Sequence, residues 1–224
     1  MTQDVSTPTH DVQALRIALA QGTMFEEIVG ALRGVGLPTD GLTGHRRLVV
    51  RVTGVEYVLC RPSDVPTYVA HGAADLGIVG RDVLLEAEED VLELVDLAFG
   101  VCRFVVAGPK GSLDRSLAEY QHLGSLEVAT KYPRVAQRHF DERGIQVELV
   151  KLSGAVELAP QVGLSDWIVD LVSTGRTLRE NDLAIVEEIT TCSARLIANR
   201  ASYARDRERI ADLVDRFAKW VASR

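Results

Sequence analysis

Cysteine is scarce in this chain of 224 residues, which has only Cys60, Cys102 and Cys192. Their number is odd, they lie far apart, and no C-x-x-C pair occurs. The sequence therefore predicts neither a disulfide framework nor a zinc ribbon. We expect reduced, mostly buried thiols, as in a cytoplasmic protein.

Long hydrophobic runs are also absent, because no apolar stretch reaches the roughly 18 residues that a membrane span requires. Residues 1–13 carry Asp4 and Asp11 and contain no hydrophobic stretch. We interpret them as a disordered polar tail rather than a signal peptide. Together these absences predict a cytoplasmic protein with no membrane contact.

Positive charge is in short supply, since 25 Lys and Arg stand against 32 Asp and Glu and give a formal net charge of −7. A broad nucleic-acid surface needs clustered positive charge, so we expect no nucleic-acid partner. This net charge does not exclude a phosphorylated small molecule as a ligand, because a few local N–H donors are enough to hold a phosphate.

Short β-rich segments alternate with amphipathic helical segments along the chain. The first strand is predicted at Leu15–Ala20, and helical spacing follows over Met24–Leu32. The same alternation restarts after Gly108. This order predicts an α/β fold with mainly parallel sheets, in two lobes with a ligand cleft between them.

The remaining elements follow from the same patterns. Further strands are predicted at 47–52, 55–60, 76–79, 92–97, 102–107, 127–130, 147–152, 167–172, 184–189 and 194–199. Further helices are predicted at 65–71, after a cap at Asp82, at 133–142, at 156–162 and at 204–221. We expect His139 to face solvent.

The segment richest in chemistry is Trp167–Leu178, WIVDLVSTGRTL. An apolar strand that carries Asp170 leads into Ser173–Thr177 and a helix start. Unpaired N–H groups at a helix start point outward, and Gly175 lets the backbone approach an anion. A phosphate would bind here, with Asp170 near the strand end accepting hydrogen bonds from a sugar. The same pattern also fits an ordinary strand-to-helix connection capped by Ser or Thr.

Two other phosphate-binding motifs are missing, since neither G-x-x-x-x-G-K-[ST] nor G-x-G-x-x-G occurs. Instead, the run Glu157–Leu178 (ELAPQVGLSDWIVDLVSTGRTL) resembles the signature of the ATP phosphoribosyltransferases. Four more segments resemble that family in order and spacing: Arg61–Leu84, Cys102–Gly108, Val128–Pro133 and Ala194–Arg200. Together these segments span nearly the whole chain after the tail.

The resemblance implies an enzyme of histidine biosynthesis. Members of the family transfer the 5-phosphoribosyl group of phosphoribosyl pyrophosphate (PRPP) to N1 of ATP, with Mg²⁺ present, and release pyrophosphate. Their fold is two α/β lobes around a ligand cleft, as in type II periplasmic binding proteins. This implies a discontinuous lobe I (14–105 plus 185–224, with the C-terminal helix) and a lobe II (106–184) that carries the PRPP loop.

The resemblance also assigns site residues by position. PRPP-binding positions are Glu157, Asp170, Ser173, Thr174, Gly175, Arg176 and Thr177. In this set Ser173–Thr177 hold the 5′-phosphate, Asp170 binds ribose hydroxyls, and Glu157 is a candidate for the ribose or for the metal that it carries. ATP-binding positions are Gly22, Asp75, Leu76, Gly77 and Tyr132.

Arg46 is assigned to catalysis near the pyrophosphate. No protein residue is expected to bind Mg²⁺ directly, because the substrates carry it. No catalytic histidine is expected either, since N1 of adenine has no proton to remove before it attacks.

The chain departs from the family pattern at the first β–α turn. It reads Gln21-Gly22-Thr23 where the family usually has Lys-Gly-Arg, so two cations that would face polyphosphate are missing. Such losses can lower a rate by orders of magnitude. Ala155 also stands where a serine is usual. Because Ser173–Thr177 are unchanged, we expect PRPP binding to survive.

With 224 residues, the chain resembles the short form of the family. That form implies a regulatory subunit similar to histidyl-tRNA synthetase, in a hetero-octamer whose catalytic chains pair as homodimers. Two alternatives stay open: a cytoplasmic two-lobe ligand-binding or sensor protein, and a weakly active scaffold for the regulatory subunit. Turnover of ATP and PRPP separates the enzyme from both.

Overall fold

The computed structural model describes residues 14–44, 47–110 and 126–224. Its strands are β1 Leu15–Ala20, β2 Val49–Val52, β3 Val55–Cys60, β4 Leu76–Gly80, β5 Leu92–Asp96, β6 Cys102–Pro109, β7 Leu126–Thr130, β8 Val147–Lys151, β9 Trp167–Val172, β10 Leu183–Cys192 and β11 Ala194–Ala198. Its α-helices are α1 Phe25–Gly34, α2 Val65–Ala70, α3 Arg81–Ala87, α4 Pro133–Glu142, α5 Arg176–Glu180, α6 Arg200–Arg205 and α7 Arg207–Ala222.

The strands form two mixed sheets. The six-stranded sheet has the order β2-β3-β1-β4-β11-β5, with β1 parallel to β3 and β4 and with β2 antiparallel to β3. The five-stranded sheet has the order β10-β6-β9-β7-β8. There β7 is parallel to β8 and β9, whereas β6 is antiparallel to β9 and β10. The α/β fold class is confirmed, but both sheets are mixed, because β2 is antiparallel to β3 in one sheet and β6 is antiparallel to β9 and β10 in the other.

The chain divides into two compact units. One contains the described residues up to Ile78 together with Asp90–Val95 and Leu196–Arg224, and the other contains Val79–Glu89 and Asp96–Arg195. The first unit holds most of the six-stranded sheet and α7. The second holds the five-stranded sheet with α3, α4 and α5.

These units do not share the boundaries of the predicted lobes. Residues 79–89, 96–105 and 185–195 belong to the second unit, although the sequence places them in lobe I. The reason is long-range pairing. Strands β6 and β10 pair from Cys102 opposite Cys192 to Pro109 opposite Leu183, so both strands stay with one sheet. The sequence boundaries at 105 and 185 cut through this ribbon.

The core of the second unit explains why α4 forms where the sequence predicts it. Its apolar face buries Val135, Ala136 and Phe140 against Phe104 and Trp167 of the sheet. Pro133 occupies the first helical position, where its missing N–H costs nothing. The helix ends at Glu142, and Gly144 just beyond it has a positive φ of 66° that lets the backbone turn away.

Local corrections concern helix ends. Asp82 does not cap α3, since the residue before this helix is Gly80 with extended backbone and Asp82 is its second residue. The segment 156–162 forms two 3₁₀ turns, Val156–Leu158 and Pro160–Val162, because Pro160 has no N–H for a continuous α-helix. The helix predicted at 204–221 is divided into α6 and α7 at Asp206.

His139 is buried rather than facing solvent, with 3% of its surface exposed. Its Nε2 lies 3.3 Å from Oε2 of Glu187 on β10, and Arg143 also pairs with Glu187. Burial, and next the charge of Arg143, lower the pKa of His139 below its usual value. Glu187 comes from a strand that is remote in the sequence, so the helical pattern of α4 alone did not indicate that His139 is buried.

A glycine-to-alanine pair tests the packing of the first unit. A Cβ at Gly77 would lie 2.8 Å from Cγ2 of Val69 and 2.9 Å from Cγ1 of Val65, both buried on α2. We expect Gly77→Ala to lower the free energy of unfolding by about 1–3 kcal/mol, because valine methyls have little room to move. Gly30→Ala is the control, since that exposed helical position is open and alanine there adds up to about 1 kcal/mol. Urea unfolding of both variants gives the signs, and a neutral Gly77→Ala would contradict the packing argument.

Candidate functional site

The residues predicted to bind PRPP lie together in the second unit. Glu157, Asp170 and the loop Ser173–Thr177 line one cavity of about 130 Å³. Strand β9 delivers Asp170 near its carboxyl end, the loop follows, and α5 begins at Arg176. The cavity therefore lies at the carboxyl end of a sheet strand, where ligands of α/β proteins bind.

The conformation of the loop depends on glycine. Gly175 has a φ of +70°, in the left-handed region that costs other residues roughly 1–2 kcal/mol. The guanidinium of Arg179 donates to the carbonyl of Thr174 at 3.1 Å, and the hydroxyl of Thr174 accepts from the N–H of Arg176 at 3.4 Å. These contacts hold the loop folded back onto the start of α5.

The backbone of this loop offers free donors. Within the described ranges, no protein group accepts a hydrogen bond from the N–H groups of Ser173, Thr174 or Gly175. Unpaired N–H groups that converge on one cavity form an anion site, and the hydroxyls of the loop add donors. The loop is therefore suited to a phosphate group.

The guanidinium of Arg176 points along α5 instead. Its Nε lies 2.7 Å from Oε1 of Glu180, four residues later, and both side chains are well exposed. An exposed pair of this kind contributes at most about 1 kcal/mol, so a bound anion can compete for Arg176.

Glu157 is held over the cavity by the 3₁₀ turns. Val156 and Ala159 on either side are buried against Ile168 and Leu178. The amide of Gln161 donates to the side chain of Asn181 at 3.0 Å, at the end of α5. The turn is entered through Ala155, whose φ of 48° is left-handed and unfavourable for an alanine. Such strain is typical of positions where geometry serves a site.

Asp170 is the electrostatic centre of the cavity. Burial raises its pKa to about 6, and the charge of Glu157 adds to the increase. A hydrogen bond from the N–H of Leu171 and the charge of Lys131 act in the opposite direction. A carboxylate with this pKa is ionised at neutral pH and has most of its acceptor capacity free for a ligand.

Tyr132 also lies in this part of the molecule, although the sequence assigned it to the other substrate. Burial raises the pKa of its hydroxyl, and the charges of Asp82 and Asp170 follow as causes. The Tyr132 ring packs edge-on against Phe104, with 4.9 Å between centroids. Its N–H donates to the hydroxyl of Thr130, which in turn donates to the carbonyl of Val169.

Glu86 is a residue that the sequence interpretation missed. Its carboxylate accepts from the N–H of Arg134 and of Val135, both at 3.1 Å, and so caps the start of α4 directly after Tyr132. A side-chain cap contributes about 1 kcal/mol and fixes the entry of the helix. No local pattern could indicate it, because 48 residues separate Glu86 from Arg134.

The structure places Asp75, Leu76 and Gly77 inside the first unit. The Asp75 carboxylate accepts from the Ser202 hydroxyl at 2.7 Å and from the Arg205 guanidinium and the N–H of Arg16, both at 2.9 Å. Burial opposes ionisation, but these three hydrogen bonds more than offset it and lower the pKa of Asp75. The contacts of this carboxylate are with protein, and its nucleotide contact stays a prediction.

The remaining assigned positions are Gly22, Leu76 and Arg46. Gly22 is exposed at the end of β1 with a φ of 137°, and its carbonyl accepts from the N–H of Phe25 at 3.1 Å. Leu76 is fully buried. Arg46 lies outside the described residues, so its catalytic role stays a prediction.

Two features are absent from the described residues. No helix in the ranges 14–44, 47–110 and 126–224 is long and apolar enough to cross a membrane. In the same ranges no group of three or more His, Cys, Asp or Glu side chains is arranged to hold a metal ion.

A family model and two curated relatives identify the family of this chain. The family model described as HisG, ATP phosphoribosyltransferase, matches residues 61–219. The ATP phosphoribosyltransferase of Rubrobacter xylanophilus is 53% identical over 193 residues, which are 86% of this chain and 89% of that protein. That of Moorella thermoacetica is 50% identical over 206 residues, 90% of each chain.

Solved structures agree with the fold. The ATP phosphoribosyl transferase (HisG:HisZ) complex from Thermotoga maritima contains a chain with a TM-score of 0.80 and 35% identity, over 94% of this chain and 100% of that one. The periplasmic aliphatic sulphonate binding protein of Escherichia coli has a TM-score of 0.60 at 16% identity, over 93% of this chain and 72% of that one. The second likeness concerns the fold alone and confirms the resemblance to periplasmic binding proteins.

The raised pKa of Asp170 predicts a stability effect. A carboxyl whose pKa is higher in the folded than in the unfolded chain destabilises the fold in full above pH 6, and less as pH falls towards 4. We expect Asp170→Asn to raise the free energy of unfolding by about 1–3 kcal/mol at pH 8 and by less than about 0.5 kcal/mol at pH 4. Asp215→Asn, on the exposed side of α7, is the control and should be neutral at both values. Urea unfolding that gave no gain at pH 8 would show that Asp170 is not destabilising.

Proposed function

The chain belongs to the ATP phosphoribosyltransferase family, and from this we propose that Glu157, Asp170 and the loop Ser173–Thr177 bind its PRPP substrate. The enzyme transfers the 5-phosphoribosyl group of PRPP to N1 of ATP and releases pyrophosphate, the first step of histidine biosynthesis. It is thus a pentosyltransferase.

One observation carries the assignment of the donor site. All seven positions that the sequence assigned to PRPP line a single cavity, which combines free N–H donors at one end with a half-buried carboxylate beside them. A sugar phosphate has the complementary groups, a phosphate that accepts hydrogen bonds and hydroxyls that donate them. A free sugar has no phosphate, so it would leave the N–H donors of the loop without an acceptor.

The geometry indicates what each group does. The loop fixes the 5′-phosphate, and Asp170 accepts hydrogen bonds from ribose hydroxyls, so C1 is held in one position for attack by N1 of adenine. Displacement at C1 passes through a cation-like centre, and nearby carboxylates favour that charge. Ionisation of Asp170 matters here, because a protonated carboxyl would accept fewer hydrogen bonds.

Mg²⁺ fits this donor set. The cavity carries two carboxylates, and Mg²⁺ prefers oxygen ligands, usually one or two carboxylates together with substrate phosphates. We propose that the diphosphate of PRPP carries the ion, which neutralises the charge that builds up on the leaving group. Glu157 and Asp170 are the two protein carboxylates that line this cavity.

The acceptor substrate of the reaction is ATP. We propose that Tyr132 contacts the nucleotide, because its hydroxyl is close enough to Asp170 of the cavity for that charge to contribute to its raised pKa. Gly22 and residues 75–77 stay predicted nucleotide contacts, and Arg46 stays a predicted catalytic residue near the pyrophosphate.

We also propose a regulatory partner. A similar solved chain comes from a HisG:HisZ complex, which supports a separate regulatory subunit for this chain. The hetero-octamer, the homodimer of catalytic chains and the cytoplasmic location are part of the same proposal.

The first test is turnover. Incubation of the chain with ATP, PRPP and Mg²⁺ is expected to form phosphoribosyl-ATP, followed by absorbance with pyrophosphatase present, and EDTA should stop the reaction. If the chain is inactive alone, the regulatory subunit should restore turnover. Continued inactivity with that subunit would favour the sensor or scaffold alternatives.

The second test is donor affinity. We expect Asp170→Ala to weaken PRPP binding by at least about 10-fold, because a charged acceptor of hydrogen bonds contributes roughly 1.5–3 kcal/mol. Isothermal calorimetry at pH 8 measures this, with Asp215→Ala as the exposed control. Equal affinities for the three proteins would remove Asp170 from the donor site.

A further inference from the structure

Lys131, directly after β7, has no role in the assignments above. We propose that the ammonium group of Lys131 binds the diphosphate of the phosphoribosyl donor, an inference that rests on the donor site proposed here. Neither the substrate contacts predicted from the sequence nor the lining of the cavity includes this residue.

Strand register places Lys131 beside Asp170. Strands β7 and β9 are parallel neighbours, with Ala129 opposite Ile168 and Thr130 opposite Val169. Lys131 is the first residue after β7, and the same register carried one position further sets it opposite Asp170. Side chains alternate along a strand, so Asp170 lies on the same face as Ile168, and this continuation puts Lys131 on the face of Ala129. Both of those residues belong to the core cluster that contains Val156 and Leu178, which flank Glu157 and the phosphate loop.

The ammonium of Lys131 is close to groups of the site. Its positive charge opposes the net increase in the pKa of Asp170 and in that of Asp82, which is on α3. Its Nζ lies 5.8 Å from the centre of the Tyr132 ring. The ammonium is therefore in the region shared by Asp170, Asp82 and Tyr132.

The ammonium is also available to a ligand. Lys131 is exposed, and none of the carboxylates in the described part of the chain lies within 4.0 Å of it. By contrast, Lys110 and Arg176 are paired with Asp182 and Glu180.

The cavity needs such a cation. Glu157 and Asp170 contribute negative charge, and the guanidinium of Arg176 is paired with Glu180. A donor with a phosphate at one end and a diphosphate at the other brings several more negative charges. Lys131 is the cation whose charge acts on Asp170, so it is in position to balance the site.

The position of Lys131 selects the diphosphate rather than the 5′-phosphate. The phosphate loop follows β9, whereas Lys131 follows β7, one strand spacing of about 4.8 Å away. The two phosphate-bearing carbons lie at opposite ends of the ribose. With the 5′-phosphate on the loop and the hydroxyls at Asp170, the diphosphate is the anionic group left for Lys131.

Calorimetry with two ligands tests this assignment. PRPP has both anionic ends, whereas ribose 5-phosphate has only the 5′-phosphate. With Mg²⁺ present, we expect Lys131→Met to weaken PRPP binding about 10- to 100-fold and to change ribose 5-phosphate binding less than about 2-fold. Lys131→Arg should recover most of the PRPP affinity. Lys219→Met, an exposed charge loss on α7, is the control and should bind both ligands normally.

Each other outcome overturns the assignment. Unchanged PRPP affinity in Lys131→Met would exclude contact with the donor, and equal losses for both ligands would move Lys131 to the 5′-phosphate end. The donor site itself is tested separately by Asp170→Ala. If that variant loses PRPP while Lys131→Met keeps it, only the role of Lys131 fails. If the unaltered chain does not bind PRPP, the donor site fails first.

Discussion

The pairing of β9 with β7 is the interaction on which the proposed site depends. The buried hydroxyl of Thr130 donates to the carbonyl of Val169 at 2.8 Å and accepts from the N–H of Tyr132 at 2.9 Å. Two strand ends are thereby locked in register. Everything placed at those ends follows from that lock: the carboxylate of Asp170 and the phosphate loop on one strand, Lys131 on the other.

This arrangement has an energetic cost that the surrounding core offsets. Asp170 is held in a setting that disfavours its charge, and Ala155 and Gly175 lie in left-handed conformations next to the cavity. On the same face the fully buried Ile168 and Ala129 pack beneath them. Stability is therefore concentrated in the strands, and strain is concentrated in the turns that are proposed to contact substrate.

Elements set by local interactions were predicted from the sequence, and features set by long-range interactions were not. The patterns predicted β1, β9 and α4 to the residue, because alternation, helical spacing and Pro133 are local signals. They failed where the partner is remote: Glu86 caps a helix 48 residues away, and Glu187 of β10 pairs with the buried His139. Most of the residues proposed to bind PRPP belong to β9 and the loop after it, so one sequence segment indicated them together, whereas Lys131 needed the register between two strands.

Asp75 and Asp170 show what separates a structural acid from one that is available to a ligand. Asp75 directly precedes the apolar strand β4, Asp170 lies within the apolar strand β9, and both are assigned to substrates by position alone. Three protein donors hold the Asp75 carboxylate and lower its pKa, so its acceptor capacity is used inside the fold. Asp170 receives one backbone hydrogen bond and has a pKa raised to about 6. A partly buried carboxylate that accepts few hydrogen bonds from the protein is stabilised most by a ligand that donates them. Ribose hydroxyls are such donors.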